Sequence, residues 1–287
     1  MPGGSLSMRT ALTIAGSDSS GGAGVQADLK TMIANGVYGM SVITAITAQN
    51  TLGIRSVLEV PARIVKDQMD AVFTDIFPDS VKIGMLGSKA VTVAVAERIR
   101  HYGAGKVVID PVMISTSNTR LLDGDAVTAL RDELFPLAAL ITPNIPEAWA
   151  LMKDIPCEAA LSEHIANCPS SEAIENAAGL LGDRYGCPVL IKGGHSAAAE
   201  GSVSCCDDVL YSDGQIKWYR SPRIANNNTH GTGCTLSSAI CSNLARGLSL
   251  DESVAAAKDY VSLAIASNLD IGHGKGPLNH ACNIVTK

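Results

Sequence analysis

Apolar and polar positions along the chain alternate between two rhythms. Ala11–Ala15 is a short apolar run of strand length, followed by Val25, Leu29 and Ile33 at helical spacing, which Gly36 stops. Ser41–Ala48 is rich in β-formers, and Pro61 then opens a helix whose apolar stripe is Val65, Met69, Val72 and Ile76. A strand is predicted at Val81–Leu86, then a helix capped by Ser88 that runs to Tyr102 and stops at Gly103. Val107–Ile109 and Ala139–Ile141 read as buried strands around a helix at Asp125–Leu134; Ser171–Tyr185 reads as a helix and Pro188–Lys192 as a strand.

Near the carboxyl third the period drops to two. Asp208–Tyr211 and Gln215–Tyr219 flank Ser212-Asp213-Gly214, a strong hairpin signal. Leu236, Ile240, Leu244 and Leu248 then recur every fourth residue, and Ser249 with Glu252 forms a capping box ahead of the last helix. Strands alternating with helices predict a mostly parallel sheet covered on both faces, with ligands beyond the carboxyl ends of its strands. The 153–170 stretch, bearing Pro156 and Pro169, is the expected exposed excursion. Residues 1–8 read as a leader or disordered segment, with 9–287 as one domain.

Composition narrows the partners. The 287 residues are 46% hydrophobic but only 4% aromatic, so stacking platforms for bases are scarce. A formal charge of −6 argues against nucleic acid, while one phosphorylated ligand in a local pocket stays compatible. No run approaches the roughly 18 apolar residues of a membrane span, and no membrane partner is expected. The eight cysteines (Cys157, Cys168, Cys187, Cys205, Cys206, Cys234, Cys241 and Cys282) show no C-x-x-C spacing. Reduced thiols in a cytoplasmic protein are expected.

The candidate chemistry gathers at predicted strand ends. Thr229-His230-Gly231-Thr232-Gly233-Cys234-Thr235 leads into a helix whose first-turn amides and dipole make an anion site. A cysteine in that field is expected to have its pKa lowered; taken alone, the plainer reading is a glycine-rich turn with a buried Cys. Gly16–Gly24 is a loop that lets a ligand approach the backbone, and Asp28 follows near a helix start, where compensation of the helix dipole is an equal alternative. Asp110 ends one strand, as a carboxylate that can hold hydrated Mg²⁺. Asn144 and Glu147 follow the next, where a turn and a helix start explain them as well. Lys192-Gly193-Gly194-His195 ends another, and a surface or turn role is the first expectation for His195. Neither a Walker P-loop nor the dinucleotide G-x-G-x-x-G occurs, which sets aside a nicotinamide oxidoreductase.

From about Arg9 onward the chain resembles the hydroxymethylpyrimidine/phosphomethylpyrimidine kinases of thiamine biosynthesis, in the ribokinase superfamily. The resemblance rests on Ala15-Gly16-Ser17-Asp18, Gly21–Lys30, Ala48-Gln49-Asn50-Thr51, Lys82-Ile83-Gly84-Met85-Leu86, Asp110-Pro111-Val112-Met113, Thr142-Pro143-Asn144 with Glu147, Lys192–His195 and Thr229–Thr235. It implies a ribokinase-like three-layer α/β/α fold with a mostly parallel central sheet and a small β-hairpin, acting as a cytoplasmic homodimer. It also implies ATP-dependent phosphorylation of an aminopyrimidine alcohol and then of its monophosphate, with Mg²⁺. By that resemblance Gly16, Asp28, Gln49, Met85 and Val112 bind the pyrimidine. Gly231, Thr232, Gly233 and Cys234 hold the transferred phosphoryl, with Cys234 accepting the alcohol's proton. Asp110 and Glu147 position the metal, and Asn144, Lys192 and Lys258 attend the nucleotide. The nearest rival is a pyridoxal kinase of the same family; Gln49-Asn50, whose amides can pair with a pyrimidine's ring nitrogen and amino group, favours the pyrimidine. One departure stands out: Ile114–Arg120 occupies the place of a Lys-Ser-Gly-like stretch.

Overall fold

The computed structural model describes residues 8–113, 124–153, 155, 170–193 and 206–284. Ile114–Arg120, His195 and nearly all of the 153–170 excursion lie outside the described residues. Among the described residues nine strands form one sheet in the order β3-β2-β1-β4-β5-β6-β7-β8-β9. They are β1 (Thr10–Asp18), β2 (Tyr38–Asn50), β3 (Gly53–Glu59), β4 (Ser80–Ile83), β5 (Val107–Ile109), β6 (Leu140–Ile141), β7 (Val189–Lys192), β8 (Asp208–Ser212) and β9 (Gln215–Tyr219). The six strands from β2 across to β7 run parallel, and β3, β8 and β9 extend the two edges by antiparallel pairing. The predicted hairpin is β8–β9.

Eight α-helices accompany the sheet among the described residues: α1 (Gly24–Ala34), α2 (Ala62–Phe73), α3 (Lys89–Tyr102), α4 (Gly124–Ala129), α5 (Ile145–Met152), α6 (Ser171–Tyr185), α7 (Thr232–Ala245) and α8 (Leu250–Ala266). The period-two alternation of the strands separates two cores. Leu12, Ile14, Val81, Ile83, Val107 and Ile109 face one core with α2, α3, α5 and α6. Ala11 and Val108, with Leu140 and Leu190, pack on the other side against α7 and α8. These are the three layers that the pattern implied, with helices sealing both faces of the parallel strands.

Local signals explain the element ends. The Ser88 hydroxyl accepts from Val91 N at 3.4 Å to start α3, and Gly103 closes it at φ 63°. Ser249 and Glu252 form the predicted capping box of α8. One element departs from the reading: β3 continues the ribbon after a turn at Thr51-Leu52, whereas α5 starts at Ile145 on a second capping box, Asn144 with Glu147, the helix start that is one of the two readings of that pair. Strand β1 has β2 on one side and β4 on the other, so the chain order reverses between β1 and β4. A crevice opens at such a reversal, beyond the carboxyl ends of the strands.

Candidate functional site

The crevice is where the first group of expected residues meets. Gly16, near the end of β1, and Met85, just past β4, are so close that a methyl on Gly16 would lie 2.5 Å from Met85 Cε. Thr44 of β2 donates its hydroxyl proton to Met85 O at 2.7 Å, tying β2 to the chain just past β4. Half-buried Gln49 closes β2 on the same rim, and half-buried Val112 follows Asp110 at the end of β5. These residues share one rim at the carboxyl ends of the strands, with apolar side chains and one carboxamide among them.

The second group converges on the amino end of α7. Gly231 is the N-cap at φ 83°, a left-handed conformation that disfavours side chains, and a methyl there would collide with Gly22 O. No side chain caps the helix; Thr232 N donates to Thr229 O at 3.3 Å, and the other first-turn amides have no side-chain cap. Lys192, from the end of β7, donates to Asp110 Oδ1 at 2.7 Å. A methyl on Gly233 would lie 3.2 Å from Lys192 Nζ and 3.4 Å from Asp110 Oδ2. Helix dipole, ammonium and carboxylate therefore share one volume, which suits a phosphate with its counter-cation.

Glu147 is the third charge of this group. Its Oε2 accepts from Asn144 N at 2.8 Å, while Asn144 Oδ1 accepts from Glu147 N at 2.8 Å. Burial raises the Glu147 pKa well above the usual carboxylate range, Asp110 adds to the rise, and Lys192 offsets only part of it. Burial alone would depress Lys192, but Asp110 and Glu147 hold its pKa above the ordinary value. Lys192 is paired with Asp110, and a cation bound beside Glu147 would favour the ionised form that burial disfavours. Asp110 and Glu147 as a donor pair fit Mg²⁺, which takes most of its ligands from water and phosphate. No cluster of three or more metal-ligating side chains occurs among the described residues.

Cys234 sits in the first turn of α7, with Gly24 N–H directed at its sulfur. The expected lowering of its pKa is overturned. Burial pushes the thiol up to about 11, Asp28 and Asp110 oppose its ionisation further, and Lys82 and the Gly24 amide recover only part of that. The residue as a whole is half-buried.

A family model for phosphomethylpyrimidine kinase matches residues 18–279. The chain is 47% identical over 272 residues to the hydroxymethylpyrimidine/phosphomethylpyrimidine kinase of Rhizobium meliloti, covering 94% of this chain and 96% of that one. It is also 47% identical over 269 residues to the thiamine biosynthesis bifunctional protein ThiED of Geobacter sulfurreducens, where 94% of this chain spans about half (51%) of that protein's length. The chain belongs to the phosphomethylpyrimidine kinase family. Among solved structures it is similar to an ADP complex of Bacillus subtilis pyridoxal kinase, with TM-score 0.82, 34% identity and coverage of 96% and 98% of the two chains. The fold is therefore the ribokinase-like one anticipated, shared by pyrimidine and pyridoxal kinases alike.

Within this family member, two expected ligand contacts turn out to be supports. Asp28 is fully buried. Its oxygens accept from Thr13 at 2.6 Å, Ser238 at 2.7 Å and Lys82 at 2.8 and 3.0 Å. That leaves no free acceptor for a pyrimidine, and Asp28 instead ties α1, β1, β4 and α7 together beneath the rim. Lys258 likewise donates to Asp208 Oδ2 and Cys206 O, both at 2.6 Å, and Asp208 Oδ1 accepts from Gly193 N at 2.9 Å. It braces the end of β7 from behind.

Sequence reasoning passed over Lys82, Asp18 and His230 as individuals. A lone lysine between Val81 and Ile83 in an apolar strand was the available signal for the first, since an ammonium there needs a buried partner. An open groove of about 600 Å³ between α2 and α3, lined by Ala62, Arg63, Lys66 and Lys89, shares no residue with the crevice.

Proposed function

We propose that this protein transfers the γ-phosphoryl of ATP to the hydroxymethyl group of 4-amino-5-hydroxymethyl-2-methylpyrimidine, and then phosphorylates the monophosphate to the pyrophosphate. The observation that carries the proposal is the adjacency of the Gly16–Met85–Gln49 rim to the uncapped amino end of α7. Family membership supports it independently. The rim accepts a flat, mostly apolar ring, and Gln49 offers it a donor and an acceptor side by side. Gly231 and Gly233 direct backbone N–H groups to where charge builds on the migrating phosphoryl, with Lys192 alongside, while the Thr232 N–H closes the turn on Thr229 O. Asn144 holds Glu147 in place through the capping box.

Asp110 and Glu147 would hold Mg²⁺, which neutralises phosphate charge when bound. Cys234 takes the alcohol's proton in its thiolate form. With a pKa near 11, that form is roughly one part in ten thousand at pH 7. A loose transition state loses the alcohol proton late, so a scarce base in the right position suffices.

A cytoplasmic homodimer completes the proposal. No described helix is long and apolar enough to cross a membrane. Ile46 and Leu58 are register partners on the edge ribbon and are 50% and 66% exposed, an apolar face of the kind a second copy covers. Sedimentation at micromolar concentration checks the dimer.

The test of function is a side-by-side assay with Mg-ATP of the hydroxymethylpyrimidine, its monophosphate and pyridoxal. Both pyrimidines are expected to be phosphorylated with kcat/KM at least tenfold above that for pyridoxal. Turnover of pyridoxal alone would establish the rival activity instead.

A further inference from the structure

His230 precedes the glycine that opens the phosphate loop, and nothing in the mechanism above uses its side chain. It is buried, with its backbone bridged to Pro277 and its N–H bonded to Gly276 O at 3.2 Å. The ring lies so close to Gly22 that a methyl there would collide with it. Its Nε2 stands 2.9 Å from Asp18 Oδ2 and 3.3 Å from the Gln49 carboxamide. One imidazole thus joins the phosphate loop, the glycine loop after β1 and the end of β2.

The bonding pattern decides how that carboxamide is turned. Burial alone would raise the Asp18 pKa, but hydrogen bonds from His230, Ser20 and Ala23 hold it at about 2. An ionised carboxylate only accepts, so the nitrogen 2.9 Å away carries a proton. The Gln49 atom facing that N–H must then be an acceptor, because an NH₂ there would oppose donor to donor. The other end of the amide gives the same answer. Thr47 donates its single hydroxyl proton to Ser17 O at 2.7 Å, so it can only accept from the Gln49 atom 3.0 Å away. Amide oxygen and nitrogen are nearly isosteric, and their partners discriminate between them. As placed, the amide sets Nε2 toward His230 and Oε1 toward Thr47, and both partners require it turned over, with oxygen toward His230 and nitrogen toward Thr47.

We propose that His230, oriented by Asp18, is a positioning residue that fixes the sense in which Gln49 presents its carboxamide to the pyrimidine. The inference rests on the reading that an aminopyrimidine binds at this rim. With one oxygen lone pair turned to His230 and one N–H to Thr47, Gln49 keeps one acceptor and one donor on its free edge. A ring nitrogen beside an amino group offers the matching acceptor and donor. A pyridine alcohol, whose ring nitrogen has no amino group beside it, lacks that edge. The opposite sense of the amide reverses the order and sets like against like. His230 therefore acts on which ring is held, while the phosphate loop acts on how fast phosphoryl moves.

The test compares His230→Ala, His230→Asn, Gln49→Ala and the double variant Gln49→Ala/His230→Ala with the hydroxymethylpyrimidine and with pyridoxine. His230→Ala is expected to raise KM for the pyrimidine about tenfold, the scale of one well-placed hydrogen bond, while kcat falls less than threefold. KM for pyridoxine is expected to stay within twofold. His230→Asn, which keeps an N–H donor, restores part of the loss, and His230→Ala adds nothing once Gln49 is alanine. A fall in kcat for both substrates with KM unchanged, or full additivity in the double variant, overturns the proposal. In the unaltered protein, ¹⁵N–¹H spectra are expected to find the His230 proton on Nε2, and a bare Nε2 overturns it without any variant. Failure of the unaltered protein to phosphorylate the pyrimidine would sink the substrate reading rather than this one.

Discussion

Replacing Lys82 with methionine probes the support beneath the site. Lys82 and Asp28 are both fully buried, and the ammonium reaches the two carboxylate oxygens at 2.8 and 3.0 Å. Methionine keeps the length and packing of the side chain but leaves the carboxylate with only the Thr13 and Ser238 hydroxyls. Removing one member of a buried pair costs about 3–5 kcal/mol. The two surviving hydrogen bonds hold the loss near the lower end. At about 2–4 °C per kcal/mol for a chain of this size, Tm is expected to fall by roughly 6–12 °C. Lys82→Met/Asp28→Asn removes both charges and is expected within about 2 kcal/mol of the unaltered protein.

Burial would lower the Lys82 pKa, but Asp28 overcomes it and carries the folded value above the ordinary 10.5. The pair's contribution is therefore complete below that value and is lost only as pH rises through the higher folded one. The deficit in urea unfolding should be the same at pH 6 and pH 9. A single variant within 1 kcal/mol of the unaltered protein, or a double variant no better than the single, would refute the reasoning.

Three further outcomes follow from the geometry. Gly231→Ala forces a methyl into Gly22 O at a left-handed φ, and is expected to lower kcat at least a hundredfold while Tm drops by several degrees. Lys192→Met leaves Asp110 and Glu147 without their shared ammonium, and kcat/KM for ATP is expected to fall about a hundredfold in steady-state assays. Burial, with help from Lys30, lowers the His280 pKa from 6.5 to about 4, so the unfolded chain binds the extra proton across that window. Urea midpoints should therefore decline as pH falls from 6.5 toward 4, and His280→Gln should flatten that limb.

The fold was legible because burial imposes its rhythm directly. Val107–Ile109 and Ser171–Tyr185 fall where the apolar pattern put them. Strand β3 was missed because its seven residues are an edge, five of them exposed, so no buried apolar alternation marks it. Gly16, Asp110, Lys192 and the Gly231–Cys234 turn were legible as loop chemistry at strand ends, and Met85 only through the family resemblance. The Asp28 and Lys258 contacts were misplaced because their partners, Lys82 and Asp208, lie 54 and 50 residues away in the chain. The Cys234 thiol was misjudged for a related reason: the helix field is local and visible in sequence, whereas the burial that outweighs it is a property of the whole fold.

The pH dependence of kcat for the hydroxymethylpyrimidine, measured with Cys234 intact and as Cys234→Ala, tests the sulfur's role most directly. If the thiolate of a group near pKa 11 takes the alcohol's proton, kcat climbs with pH from 7 to 9 without levelling, and the alanine variant is about a hundredfold slower with a flat profile at unchanged ADP affinity. A flat profile in the unaltered protein, or equal turnover in the variant, would contradict the account.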